Sequence, residues 1–145
     1  MEKQALRIID ANLNRIGEGL RVLEDICRLA LNDAGLSQQL KDLRHNVART
    51  DLSLKRRLVE ARDAAGDVGM ELEAEGEPKQ RNLAATVVAN SRRVQESLRV
   101  MEEMAKLPEI NLEPKKFLQA RFSLYTLEKE LLSRLENITK TGGSK

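Results

Sequence analysis

The chain has 145 residues, 41% of them apolar and 33% charged, with charges of both signs. That is one domain, long enough to bury a core and too apolar for a disordered chain. With 25 basic and 23 acidic residues the net charge is +2, and aromatics are 2%, which argues against a nucleic-acid partner, a base-stacking platform and an aromatic-rich β sandwich.

The apolar spacing is helical almost throughout. In the first segment Leu13, Ile16, Leu20, Leu23, Cys27 and Leu31 share a face. Gly35 is the expected stop and Ser37 the next N-cap. Leu40, Leu43, Val47, Leu54 and Leu58 continue into a second segment. Val87, Val94, Leu98 and Met101 mark a third, which Pro108 ends. Asn111 is the expected cap of a fourth, with Pro114 in its first turn and Phe117, Leu124, Leu131 and Leu135 as its stripe. Helices are therefore expected near 5–33, 37–60, 83–107 and 112–139. The stretch from Arg62 to Arg81 carries glycines and no stripe, and reads as one long functional loop at 61–82. Its part from Glu71 to Gln80 fits a lid or a disordered segment equally. Residues 141–145 read as a flexible tail.

Residues 11–29 match 89–107 at an offset of 78, with nine of 19 positions identical. Among them are Asn12/Asn90, Arg15/Arg93, Glu18/Glu96, Arg21/Arg99 and Glu24/Glu102. Shifted by one residue, Arg44 matches Arg121. The expected fold is all-α: one domain over 1–140 of two duplicated helical hairpins, about 5–60 and 83–139, in a pseudo-twofold bundle. Matched apolar positions are explained by the core. Matched polar positions ask for another reason, because Asn is a poor helix former. Asn12, Arg15, Asn90 and Arg93 flank the stripe beside the small Gly19 and Ser97, which leaves room for a ligand or a close helix. Arg21 and Glu24 read equally well as a surface i,i+3 pair.

In the loop, Asp63 and Asp67 stand four apart around Gly66. Such a pair suits Mg²⁺ with substrate phosphate oxygens, and also suits ordinary turns. Arg81 precedes the expected start of the third helix, a good place for phosphate. His45 is a lone histidine that reads first as a packed or surface residue. Cys27, the single cysteine, excludes an internal disulfide and fits a reducing, cytoplasmic setting. No apolar run reaches the ~18 residues of a membrane span, and the Met1-Glu-Lys-Gln start lacks a signal peptide's apolar stretch.

Taken in order, Asp10-Ala-Asn-Leu-Asn-Arg15, Glu18-Gly-Leu-Arg-Val-Leu-Glu-Asp25, Leu43-Arg-His45, Arg62-Asp63, Gly66-Asp-Val-Gly69 and Ala89-Asn90 with Gln95-Glu96 and Leu98-Arg99-Val100 resemble one family. It is the small monofunctional hydroxymethylpyrimidine phosphate kinase, found alone or fused in front of thiamine-phosphate synthase. The resemblance implies a phosphomethylpyrimidine kinase of thiamine biosynthesis. It would transfer a phosphoryl group from ATP to 4-amino-5-hydroxymethyl-2-methylpyrimidine phosphate, with Mg²⁺. The expected catalytic residues are Arg15, Arg93 and Asp63. Asn12, Arg15 and Arg44 would serve one ligand, and Asn90, Arg93 and Arg121 the other. Glu18, Glu96, His45 and Arg81 complete the binding set, and Asp63 with Asp67 holds the metal. The alternative is a non-catalytic helical interaction or regulatory module of a thiamine enzyme. A homodimer, or association with thiamine-phosphate synthase, fits either reading.

Overall fold

The computed structural model describes residues 1–71 and 82–142. Its long elements are helices α1 (Glu2–Asp25), α2 (Ala34–Ala48), α3 (Leu52–Ala61), α4 (Leu83–Met104) and α5 (Pro114–Gly142). There is no strand among the described residues. The expected all-α class is what the structure shows. Of the expected tail at 141–145, residues 141–142 belong to α5, while 143–145, Arg81 and the stretch 72–80 lie outside the described residues.

The helix boundaries follow capping chemistry that partly differs from the expected one. Helix α1 runs into a π turn, Ile26–Ala30, closed by Leu31 N–H on the Ile26 carbonyl at 3.0 Å. The chain then reverses at Asn32, whose φ is 51°. Asn tolerates this left-handed region, so the stop falls at Asn32 and not at Gly35. Asp33, not Ser37, caps α2: its Oδ1 accepts the Leu36 N–H at 3.0 Å. The expected second helix is two helices. Asp51 caps α3 by accepting the Leu54 N–H at 2.7 Å, and the chain breaks over 49–51. Asn82 caps α4 through the Ala85 N–H at 2.8 Å. At α5 the capping side chain is Glu113, which accepts the Lys115 N–H at 3.3 Å, with Pro114 as the first helical residue.

Helices α1 and α4 form the centre of the bundle, with α2 and α3 against α1 and α5 against α4 and α2. Ile16, Leu20, Leu98, Met101, Phe117 and Leu124 are fully buried in one continuous core. Each such side chain contributes about 1.5–3 kcal/mol of apolar transfer. Gly19 of α1 lies against Asn90 and Val94 of α4, while Ile26 and Leu29 of the π turn share a groove with Leu83 and Thr86. The two central helices therefore run antiparallel.

Two buried carboxylates join the helices in matching ways. Glu24 of α1 accepts from Arg44 Nε of α2 at 3.0 Å. Glu102 of α4 accepts from Arg121 of α5, through Nε at 2.6 Å and Nη2 at 3.2 Å. A third carboxylate, Asp10, accepts the fork of Arg62 at 2.7 and 3.0 Å, pinning the end of α3 to α1.

Candidate functional site

Helix α1 carries its apolar stripe between two polar flanks. At about 100° per residue, Asn12, Arg15 and Gly19 fall on one flank, and Asp10, Gly17, Arg21, Glu24 and Arg28 on the other. The first flank faces α4. There Asn12, Arg15, Glu18 and Gly19 line a cleft of about 500 Å³ together with Asn90, Arg93, Glu96, Ser97 and Val100. Each of the four α1 residues has its offset-78 counterpart on the α4 wall. The cleft lies over the closest approach of the two helices. A Cβ on Gly19 would stand 2.4 Å from Val94 Cγ2 and 3.4 Å from the Asn90 carbonyl oxygen, so it is the Val94 side chain opposite that calls for the small residue.

The two asparagines are held alike. Asn12 Nδ2 donates to the Ile8 carbonyl at 2.8 Å, and Asn90 Nδ2 to the Thr86 carbonyl at 2.9 Å. Both residues are buried. One N–H of each amide is fixed on its own helix, which leaves a carbonyl oxygen and a second N–H for a partner in the cleft. Arg15 and Arg93 add forked donors, and Glu18 and Glu96 two acceptors. The cleft thus offers paired donor and acceptor groups at balanced formal charge. It suits a small molecule with both a hydrogen-bonding ring and an anionic group.

Six of the expected site residues, Asn12, Arg15, Glu18, Asn90, Arg93 and Glu96, come together there. The others do not. Arg44 and Arg121, expected to serve a ligand each, are ion-paired to Glu24 and Glu102. Those buried carboxylates need a counterion, and the arginines supply it. The bond from Arg121 holds the Glu102 carboxyl below the usual glutamate range, and Arg121 is itself pushed up, chiefly by the same bond. His45 lines a separate shallow depression with Gly17, Arg21, Arg44 and Arg49. Asp63 and Asp67 do not line the cleft either. Each accepts a backbone N–H of its own turn, from Gly66 at 2.9 Å and Gly69 at 2.8 Å. Their turn is anchored on the opposite flank of α1, through Arg62 on Asp10 and Arg7 on the Asp63 carbonyl. Arg81 is outside the described residues. Sequence reasoning missed the partners of the arginines: Glu24 and Glu102 stand out only once the helices are docked.

The model of the ThiD2 family matches residues 7–130, most of the described chain. The chain belongs to the ThiD2 family. This ThiD2 chain is 40% identical over 132 residues to a thiamine-phosphate synthase of Nostoc punctiforme, covering 91% of the chain and 36% of the relative. It is 44% identical over 126 residues to the thiamine-phosphate synthase of Thermosynechococcus vestitus, covering 86% and 34%. For that of Rhodopirellula baltica the identity is 41% over 105 residues, covering 72% and 28%. The chain spans about a third of the length of these curated relatives. No solved structure matches it. Membership and these names tie the chain to the thiamine pathway. They also correct the expected enzyme. The relatives carry the name of a synthase, a different enzyme from phosphomethylpyrimidine kinase, and nothing in their names supports ATP as co-substrate. No helix among the described residues is long and apolar enough to cross a membrane.

Proposed function

We propose that this ThiD2 chain serves thiamine biosynthesis by binding a phosphorylated aminopyrimidine, 4-amino-5-hydroxymethyl-2-methylpyrimidine phosphate, in the cleft between α1 and α4. The observation that carries the reading is the juxtaposition of Asn12 and Arg15 with Asn90 and Arg93 in one cleft. An asparagine amide matches the adjacent donor and acceptor of an aminopyrimidine. An arginine fork matches phosphate oxygens. The ligand has one ring and one phosphate, so one Asn–Arg set takes the ring and the other the phosphate. A volume of about 500 Å³ falls within the range of about 300–1,000 Å³ found for small-molecule sites. Val100 supplies an apolar wall in place of the aromatic rings the chain lacks.

Mg²⁺ at Asp63 and Asp67 does not fit this reading: their turn is anchored on the opposite flank of α1 from the cleft, and each carboxylate already accepts a backbone N–H of that turn. A match to about a third of proteins named thiamine-phosphate synthase supports such a synthase as the partner.

Calorimetric titration with the pyrimidine phosphate tests the reading. Wild-type protein should bind saturably. Arg15→Ala and Arg93→Ala should each weaken binding by about tenfold or more. Arg15→Lys and Arg93→Lys keep the charge and lose the fork, and should fall between. Absence of binding by the wild type, or equal affinity in all variants, contradicts the proposal.

A further inference from the structure

The second polar flank of α1 faces α2 across another cleft, of about 510 Å³. Its lining includes Arg21, Arg28, Lys41 and Arg44, with Ser37 and Gln38. One carboxylate, Glu24, stands among the four cations, and it is bonded to Arg44. Arg21, Arg28 and Lys41 have no acidic partner within 4 Å among the described residues. The π turn helps to build this arrangement, since Arg28 lies within it.

The second half of the chain shows what the same scaffold does when it neutralises its charges. Arg99, at the position matching Arg21, pairs with Glu102 at 3.5 Å and Glu103 at 3.2 Å. Lys106, matching Arg28, pairs with Glu103 at 3.3 Å. Leu118 stands where the one-residue shift matches Lys41. The matching cations are neutralised on α4 and, among the described residues, left without acidic partners on α1. Three uncompensated cations around one cleft repel one another, and an anion among them relieves the repulsion. His45, in the adjoining depression, senses this field. Its pKa is lowered first by burial and then by Arg49, Arg44 and Lys41, with Glu24 acting in the opposite sense.

We propose that the α1–α2 cleft of Arg21, Arg28, Lys41 and Arg44 is a second binding site, for the diphosphate group of a small molecule. The three unpaired cations match the charge of a diphosphate better than that of a single phosphate. Arginine forks and the Ser37 hydroxyl supply the hydrogen bonds. The site is on the opposite flank of α1 from Asn12 and Arg15, so it stands or falls independently of the aminopyrimidine cleft.

The test is an NMR titration with inorganic pyrophosphate, with inorganic phosphate, and with sodium chloride at matched ionic strength. Pyrophosphate should shift backbone amides at the start of α2 saturably, at lower concentration than phosphate, and should raise the His45 pKa. The Arg28→Ala/Lys41→Ala protein, altered at two exposed side chains, should bind pyrophosphate about tenfold more weakly. Its affinity for the pyrimidine phosphate should be unchanged. Equal shifts with sodium chloride, or equal pyrophosphate affinity in the double variant, would overturn the proposal. Binding of pyrophosphate that perturbs only the α1–α4 cleft would overturn it too.

Discussion

Gly19 and Val94 set the distance between the two central helices. A methyl group on Gly19 would meet Cγ2 of Val94 at 2.4 Å, well inside van der Waals contact. Valine has one strongly preferred rotamer in a helix, so it does not simply swing away. Gly19→Ala should therefore push α1 from α4 at a cost of about 1–3 kcal/mol, seen as a melting temperature lower by several degrees. It should also weaken the aminopyrimidine phosphate. Val94→Ala in the same chain removes the clashing methyls and should recover part of both losses. Additive losses in the double variant would show that the contact does not govern the cleft.

Ser91 is fully buried on α4, and its hydroxyl has no hydrogen-bond partner among the described residues. An unsatisfied buried hydroxyl costs about 1–3 kcal/mol. Ser91→Ala removes it and leaves little void. The variant should melt higher than wild type by up to several degrees, where most core substitutions melt lower. A lower melting point would mean that the hydroxyl is satisfied in solution.

The bond between Arg121 and Glu102 makes stability depend on pH. Glu102 titrates below its ordinary value of 4.5 in the folded chain, chiefly because Arg121 donates to it. The unfolded chain binds its proton first as the pH falls. The contribution of the pair is thus full above 4.5 and is lost as the pH drops through the lower folded value. Glu102→Gln leaves the half-buried Arg121 without its counterion and should cost about 3 kcal/mol near neutrality. In thermal melts the gap to wild type should narrow from pH 7 towards pH 3. A gap that stays constant over that range would exclude the ion pair as its source.

Cys27 is fully buried, and its thiol is pushed up to about 11 by burial and by Asp33, with Arg134 opposing. The thiolate is the reactive form. Native protein at pH 8 should resist iodoacetamide over a time in which urea-unfolded protein is fully alkylated. Equal rates would mean that the α1 end opens readily.

Much of this architecture was legible in the chain. Leu, Ala, Glu and Arg at helical spacing exclude a sheet. The polar matches at Asn12/Asn90 and Arg15/Arg93 stood on a flank of the stripe, which is why they meet across α1 and α4. The break at 49–51 was hidden because Leu54 and Leu58 resume the stripe in phase with Val47. Asp51 was its only signal, as a cap residue. Arg44 and Arg121 lie away from the α1–α4 cleft for a reason the sequence does not display. Their carboxylates lie 20 and 19 residues away on another helix, beyond any i,i+3 or i,i+4 reading. The pair Asp63 and Asp67 had both a metal reading and a turn reading. The structure shows the turn bonds and places the pair away from the α1–α4 cleft.

The most direct test of the central claim follows the side-chain amide resonances of Asn12 and Asn90 as 4-amino-5-hydroxymethyl-2-methylpyrimidine phosphate is added to labelled protein. Both asparagines line one cleft. Both should shift in a single saturable transition, and neither should shift in the Arg15→Ala/Arg93→Ala protein. Saturation of the protein with both amides unmoved would contradict the account.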